Sequence, residues 1–146
     1  MSAEATRALV TISRAYASLE RDGVCCGTVT VSQCMVLQTL LDGPADLSTL
    51  SAAVGLSNSA GTRLVDSLEQ RSLVVRERDP SDRRRVVAVL TAAGRDEAAR
   101  LRALTEQAVT GVLDLIAPGE RAQVVHSLEL LATAIARVDP GVWSCS

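Results

Sequence analysis

Residues 47–90 read LSTLSAAVGLSNSAGTRLVDSLEQRSLVVRERDPSDRRRVVAVL, and the fold turns on how that stretch is punctuated. Leu47, Leu50 and Val54 recur at helical spacing, Gly55 supplies a sharp turn, and Leu56 is expected to pin the corner into the core. Ser57 is placed to cap a second helix. On that helix Gly61, Leu64, Val65 and Leu68 share one face, and the missing side chain at Gly61 lets the first helix come close. Asn58, Ser59, Thr62 and Arg63 share the opposite face. Short polar groups and one long cation in the first turns of a helix suit a major groove, where base edges offer donors and acceptors.

A β-hairpin follows. Val74 and Val75, and then Arg85, Val86, Val87, Ala88, Val89 and Leu90, are strand-forming runs, with Asp79 and Pro80 turning the chain between them. The tip carries Asp82, Arg83, Arg84 and Arg85. Three consecutive arginines on a protruding hairpin suit the narrow, electronegative minor groove beside a helix docked in the major groove. Asp82 is expected to orient the Arg84 guanidinium by a bidentate pair. Together these elements predict a mainly α chain with a small β-hairpin wing, a winged helix-turn-helix.

The same segments resemble the MarR family of bacterial transcription regulators. DPSDRRRVVAVLTAAGR, residues 79–95, is similar to that family's wing signature, and RLVDSLEQRSLVVR, residues 63–76, to its recognition helix running into the first wing strand. TVTVSQCMVLQTL, residues 28–40, resembles the helix before the reading head, and the spacing through Leu90, Thr91 and Gly94 agrees. Ser72 departs from the pattern, because the family usually has glycine there. The resemblance covers nearly the whole chain. It implies a repressor that binds double-stranded operator DNA as a homodimer with interlocked terminal helices, its two recognition helices reading half-sites about one helical turn apart. On this reading 1–146 is one domain, with a DNA-binding lobe at 28–90 and dimerisation helices at 1–22 and 91–146. The expected DNA contacts are Ser57, Asn58, Ser59, Thr62 and Arg63 on the helix, with Asp82, Arg83, Arg84 and Arg85 on the wing.

The distribution of charge agrees. The chain carries a net −2, which argues against a protein that coats nucleic acid indiscriminately. Residues 57–95 hold eight arginines against five acids, so the positive pole falls on the proposed reading head and leaves the rest acidic. At 146 residues and 47% apolar composition the chain can bury a core, which must be built of Ala, Val and Leu because aromatics make up 1%. No secretory signal or membrane-length apolar run is visible, so a cytoplasmic protein with reduced thiols is expected.

In chain order, a first helix is predicted over 3–20, striped by Ala8, Leu9, Ile12, Ala15, Tyr16 and Leu19. Thr30 and Gln33 have capping-box spacing, which starts a helix that Asp42, Gly43 and Pro44 end near Leu41. Thr91 is placed to cap a long helix to about Ile116, and after Pro118 a last helix runs to about Val138. Tyr16 and Trp143 are expected to fill the dimer lobe, and His126 to lie on a helix surface or dimer interface.

Cys25, Cys26, Cys34 and Cys145 are the second informative feature. Cys25 and Cys26 are adjacent between Gly23 and Gly27, where the backbone can turn both sulfurs to one centre. Cys34 follows in the first turn of the next helix, where the macrodipole favours a thiolate. Three thiols within ten residues suit a soft ion. As(III) or Sb(III), which takes three thiolates in a pyramid, fits best, and Cys145 is placed to close over the site. Binding there would release the operator; DNA binding itself requires no cofactor. Two alternatives stand beside this reading: a switch by cysteine oxidation, and a small organic effector with the cysteines packing the core. No nucleophile elbow, Walker loop or dinucleotide fingerprint appears. A thiol oxidoreductase would need a C-x-x-C or a substrate cleft, and neither is visible, so no enzyme is expected.

Overall fold

The computed structural model describes residues 2–21 and 28–138, with side chains for 2–15 and 28–138. Six helices and one hairpin occur among them: α1 (Ser2–Arg21), α2 (Val31–Leu41), α3 (Leu47–Ala53), α4 (Asn58–Gln70), β1 (Val74–Arg78), β2 (Val86–Leu90), α5 (Ala92–Asp114) and α6 (Pro118–Ile135). The chain divides into two units, Met1–Thr105 and Glu106–Ser146, and α5 contributes to both.

Local chemistry accounts for the boundaries. Thr30 caps α2 through a full capping box, its hydroxyl accepting the Gln33 N–H at 3.2 Å while the Gln33 side chain accepts the Thr30 N–H at 3.1 Å. Asp46 caps α3 by accepting the Thr49 N–H at 2.8 Å, and Ser57 caps α4 by accepting that of Ala60 at 3.3 Å. Thr91 has two roles. Its hydroxyl accepts the Gly94 N–H at 2.9 Å and donates to the Ser72 carbonyl at 2.7 Å, tying the start of α5 to the exit of α4. Pro118 stands in the first turn of α6, where its missing N–H costs nothing.

The core of the first unit lies where α2, α4, the base of the hairpin and the first half of α5 meet. Leu37, Leu68 and Leu101 are fully buried there, with Val36, Leu50, Val65 and Val74 around them. The strands are antiparallel, with Val74 opposite Leu90 and Arg78 opposite Val86. The other edge of β2 is also engaged. Ala88 and Ala45 exchange backbone hydrogen bonds of 2.8 and 3.3 Å, so the turn expected merely to end α2 also forms a bridge to the wing.

Two positions in this unit depend on backbone approach. A Cβ on Gly61 would stand 1.9 Å from the hydroxyl oxygen of Ser51, a residue only 1% exposed, so α3 meets α4 with no atom to spare. Gly55 takes φ +66° at the corner. Leu56 differs from expectation, being 36% exposed with its N–H bonded to the Ser51 carbonyl at 2.9 Å. A hydrophobic residue just before an N-cap packs against the fourth helical position, and here that position is Gly61, which offers nothing to pack on. Leu50 fills the corner instead. Ser72 stands at φ +58°, the left-handed conformation that explains the usual glycine at this helix exit.

At the start of the described residues after α1, Thr28 donates to Glu97 at 2.6 Å, and Arg100 donates to both Glu97 oxygens at 2.8 Å. The Arg100 guanidinium and the Thr28 hydroxyl lower the Glu97 carboxyl to about 2. In the second unit, Arg121 donates to the carbonyls of Ile116 and Asp114 at 3.0 and 3.1 Å and pairs with the Asp114 carboxylate at 2.9 Å, which fixes the turn between α5 and α6.

Two substitutions of opposite sign follow from the backbone. Gly61→Ala forces Ser51 aside and should cost about 1–3 kcal/mol. Ser72→Gly removes a left-handed side-chain clash and, after the greater freedom of the unfolded chain is subtracted, should gain about 0.5–1 kcal/mol. Urea denaturation of both variants checks the signs.

Candidate nucleic-acid interface

The exposed start of α4 is the first half of the interface. Asn58, Ser59 and Arg63 are exposed and Thr62 is half-buried, while Gly61, Val65 and Leu68 face the core. The Ser59 hydroxyl lies 3.1 Å from that of Ser57, and the Thr62 hydroxyl donates to the Asn58 carbonyl at 2.8 Å. Thr62 therefore keeps lone pairs for a base donor, with its proton already engaged. Arg63 has no ion-pair partner among the described residues.

The wing loop, residues 79–85, is closed by the Asp79 N–H on the Arg85 carbonyl at 3.0 Å and the Arg85 N–H on the Asp82 carbonyl at 2.9 Å. Its two aspartates shape it from within. Asp79 accepts the Ser81 hydroxyl at 2.6 Å and the Ser81 N–H at 2.8 Å, which hold its carboxyl below the usual carboxylate range. Asp82 accepts the Arg84 N–H at 3.0 Å. The expected pair between Asp82 and the Arg84 guanidinium is thus replaced by a bond to its backbone, because a short aspartate in a turn reaches the N–H two residues on more readily than a long side chain's end.

The arginines of the hairpin are not equivalent. Arg78 donates to the Arg83 carbonyl at 2.8 Å and so braces the loop. Arg83 and Arg84 are exposed and have no carboxylate within ion-pair distance among the described residues. Arg85, expected to join them, instead places its guanidinium on the carboxylate of Asp46. Arg76 was not singled out by the sequence pattern. From β1 it reaches Asp66 at 2.7 Å and also pairs with Glu69, whose carboxylate takes the Arg76 N–H at 3.1 Å. One strand residue therefore clamps two acids of α4 and keeps them from facing phosphate unbalanced. The signal was present as two acids three residues apart on a helix, followed by an arginine on the adjoining strand.

Of the four cysteines, Cys25, Cys26 and Cys145 lie outside the described residues, as do Trp143 and the side chain of Tyr16. Cys34 is buried at 3% exposure, and the Gln38 amide donates to its sulfur at 3.1 Å. Among the described residues no group of three metal-ligating side chains occurs. His126 is exposed on α6.

Comparison with known proteins places this geometry. The model of the MarR family matches residues 29–86, the span that holds α2, both helices of the reading head and the wing loop. The reading head is thus similar to that of the MarR family. It is 46% identical over 65 residues to the HTH-type transcriptional regulator YcgE of Bacillus subtilis (strain 168), a match spanning 44% of this chain and 42% of that relative. Solved structures are matched over more of their length. RV1404 of Mycobacterium tuberculosis is 29% identical with a TM-score of 0.71, covering 95% of this chain and 97% of that one. The transcriptional repressor CouR, solved bound to a 23-mer DNA duplex, is 28% identical with a TM-score of 0.68, covering 84% of this chain and 89% of that one. YcgE and CouR are both transcriptional regulators. The described part of the chain is accordingly a winged helix-turn-helix, the architecture of DNA-binding transcription regulators.

The clamp of this reading head predicts a rescue. Arg76→Gln should lower stability by about 1 kcal/mol, because the groups are between about a third and a half exposed and solvent screens part of the attraction. Adding Asp66→Asn and Glu69→Gln should recover most of that loss in thermal denaturation.

Proposed function

We propose that the chain is a transcriptional regulator that binds double-stranded operator DNA as a homodimer in the cytoplasm and represses by default. The observation that carries this reading is the pairing of two features in one unit. The exposed start of α4 offers Asn58, Ser59, Thr62 and Arg63, and the wing beside it offers Arg83 and Arg84 without internal carboxylate partners. Ser59, Thr62 and Arg63 are assigned to base edges in the major groove, and the two wing arginines to the minor groove and its phosphates. Ser57 and Asp82 shape the elements that present them. The DNA complex of the relative CouR supports the same use of the fold. No helix among the described residues is long and apolar enough to cross a membrane.

The dimer is supported by apolar surface that one copy leaves uncovered. Val112, Leu115 and Leu130 are 63%, 88% and 59% exposed, and α6 buries no residue in the single chain. Such a face on two terminal helices suits a second copy of the same helices. On this reading 28–90 is the DNA lobe, and 1–22 with 91–146 the dimer lobe.

The effector has two readings. Cys25, Cys26 and Cys34, with Cys145, form a thiophilic set suited to As(III) or Sb(III), or to oxidation. The burial of Cys34 and its bond from Gln38 favour the second, in which the cysteines pack and a small organic molecule is the effector.

Two measurements test these assignments. Arg84→Ala should weaken operator binding about 3- to 10-fold near 0.1 M salt and make the plot of log affinity against log salt shallower by about 0.9, since one phosphate contact is lost. An unchanged slope removes the wing contact. Titrating the DNA complex with As(III), Sb(III) and peroxide separates the effectors. Release by a metalloid that vanishes in a Cys25→Ser, Cys26→Ser variant supports the thiol site, reductant-reversible release by peroxide supports a redox switch, and indifference to all three supports the organic effector.

A further inference from the structure

Asp46 and Arg85 belong to neither the base-reading surface nor the core, yet they meet. Asp46 is the residue before α3, and its carboxylate is held in place by the Thr49 N–H at 2.8 Å. Its second oxygen takes the Arg85 guanidinium. That carboxylate is three-quarters buried on the side-chain scale, whereas Arg85 is 55% exposed. Arg85 is pinned as firmly along its backbone. Its N–H and carbonyl close the wing loop on Asp82 and Asp79, and Val86 after it pairs with Arg78. It therefore sits at the base of the loop beside the start of α3, while Arg83 and Arg84 occupy the loop itself. The acids that act on it are Asp46 in direct contact and Asp79 and Asp82 at longer range.

We infer that Asp46 limits the affinity of this protein for DNA by engaging Arg85, so that the third arginine of the wing run is withheld from phosphate. The inference rests on the DNA-binding reading above. A carboxylate fixed by a helix cap competes with phosphate on favourable terms, because neither side chain needs further ordering to make the pair. The same contact cancels a negative charge that would otherwise stand at the edge of the reading head and repel the duplex. The run from Arg83 to Arg85 thus presents two unpaired cations rather than three.

The test uses the full-length protein and a labelled 30-base-pair duplex, with affinity followed by anisotropy from 50 to 200 mM KCl. Four forms are compared: wild type, Asp46→Asn, Arg85→Gln and the double variant. Asparagine caps a helix as well as aspartate, so Asp46→Asn should melt within about 3 °C of wild type. It should bind about 5- to 10-fold tighter near 0.1 M salt, with a slope steeper by about 0.9, because one more counterion-releasing contact is made. Arg85→Gln alone should leave the slope unchanged, and the double variant should lose the gain. If Asp46→Asn binds like wild type, or if Arg85→Gln alone makes the slope shallower by about 0.9, Arg85 already reaches phosphate and the inference is overturned. A gain that survives in the double variant overturns it as well, because it would come from removing a negative charge and not from freeing Arg85. A wild-type protein with no salt-dependent affinity for duplex DNA overturns the DNA-binding reading and this inference with it.

Discussion

The helices of the reading head meet at a point where no further atom fits. Ser51 is buried on one side, Gly61 has no side chain on the other, and the Ser51 carbonyl also takes the Leu56 N–H that closes the turn. Because α4 is held there, its Val65 and Leu68 reach the core and its polar start points outward. The hairpin then leaves from the end of the same helix through Ser72, whose left-handed backbone and bond to Thr91 direct β1 back along α4. The mutual placement of helix and wing, on which any joint reading of two grooves depends, is a consequence of that single close packing.

Charge on the hairpin is organised by position along it. Near the core Arg76 neutralises the acids of α4, at the base of the loop Arg85 is taken by Asp46, and Arg78 braces the backbone. Arg83 and Arg84, in the loop, have neither a carboxylate nor a bracing role among the described residues. A count of arginines therefore overstates what the wing offers to DNA. A near-neutral chain can still carry a local site for a polyanion where a few cations stand clear of its acids.

Much of this was readable in the sequence where one local rule decided the outcome. The capping residues Thr30, Ser57 and Thr91, Gly55 and the turn at Asp79 and Pro80 each act within a few residues, and the structure has each in the expected role, as it does Gly61, whose partner Ser51 is one short helix away. What the sequence did not disclose depends on partners distant along the chain. Asp46 and Arg85 are 39 residues apart, and Ala45 and Ala88 are 43 apart, so neither pairing has a local signature. The Asp82 bond departs from expectation for the opposite reason. A pair between side chains was expected where the nearest donor was a backbone N–H. The cluster of thiols was visible as spacing alone, and spacing does not say whether a cysteine such as Cys34 faces a ligand or the core.

The most direct measurement is selection of binding sites from a random duplex pool, followed by hydroxyl-radical footprinting of the protein on the enriched sequence. A helix in each major groove and a wing in each adjacent minor groove require a near-palindrome with half-site centres about 10 base pairs apart, or a multiple of that spacing. Protection of the minor groove should flank each half-site, and Arg83→Ala with Arg84→Ala should erase the flanks while leaving the centre. Failure to enrich any sequence, or a footprint whose flanks survive that double substitution, would mean that this helix and wing do not read DNA together.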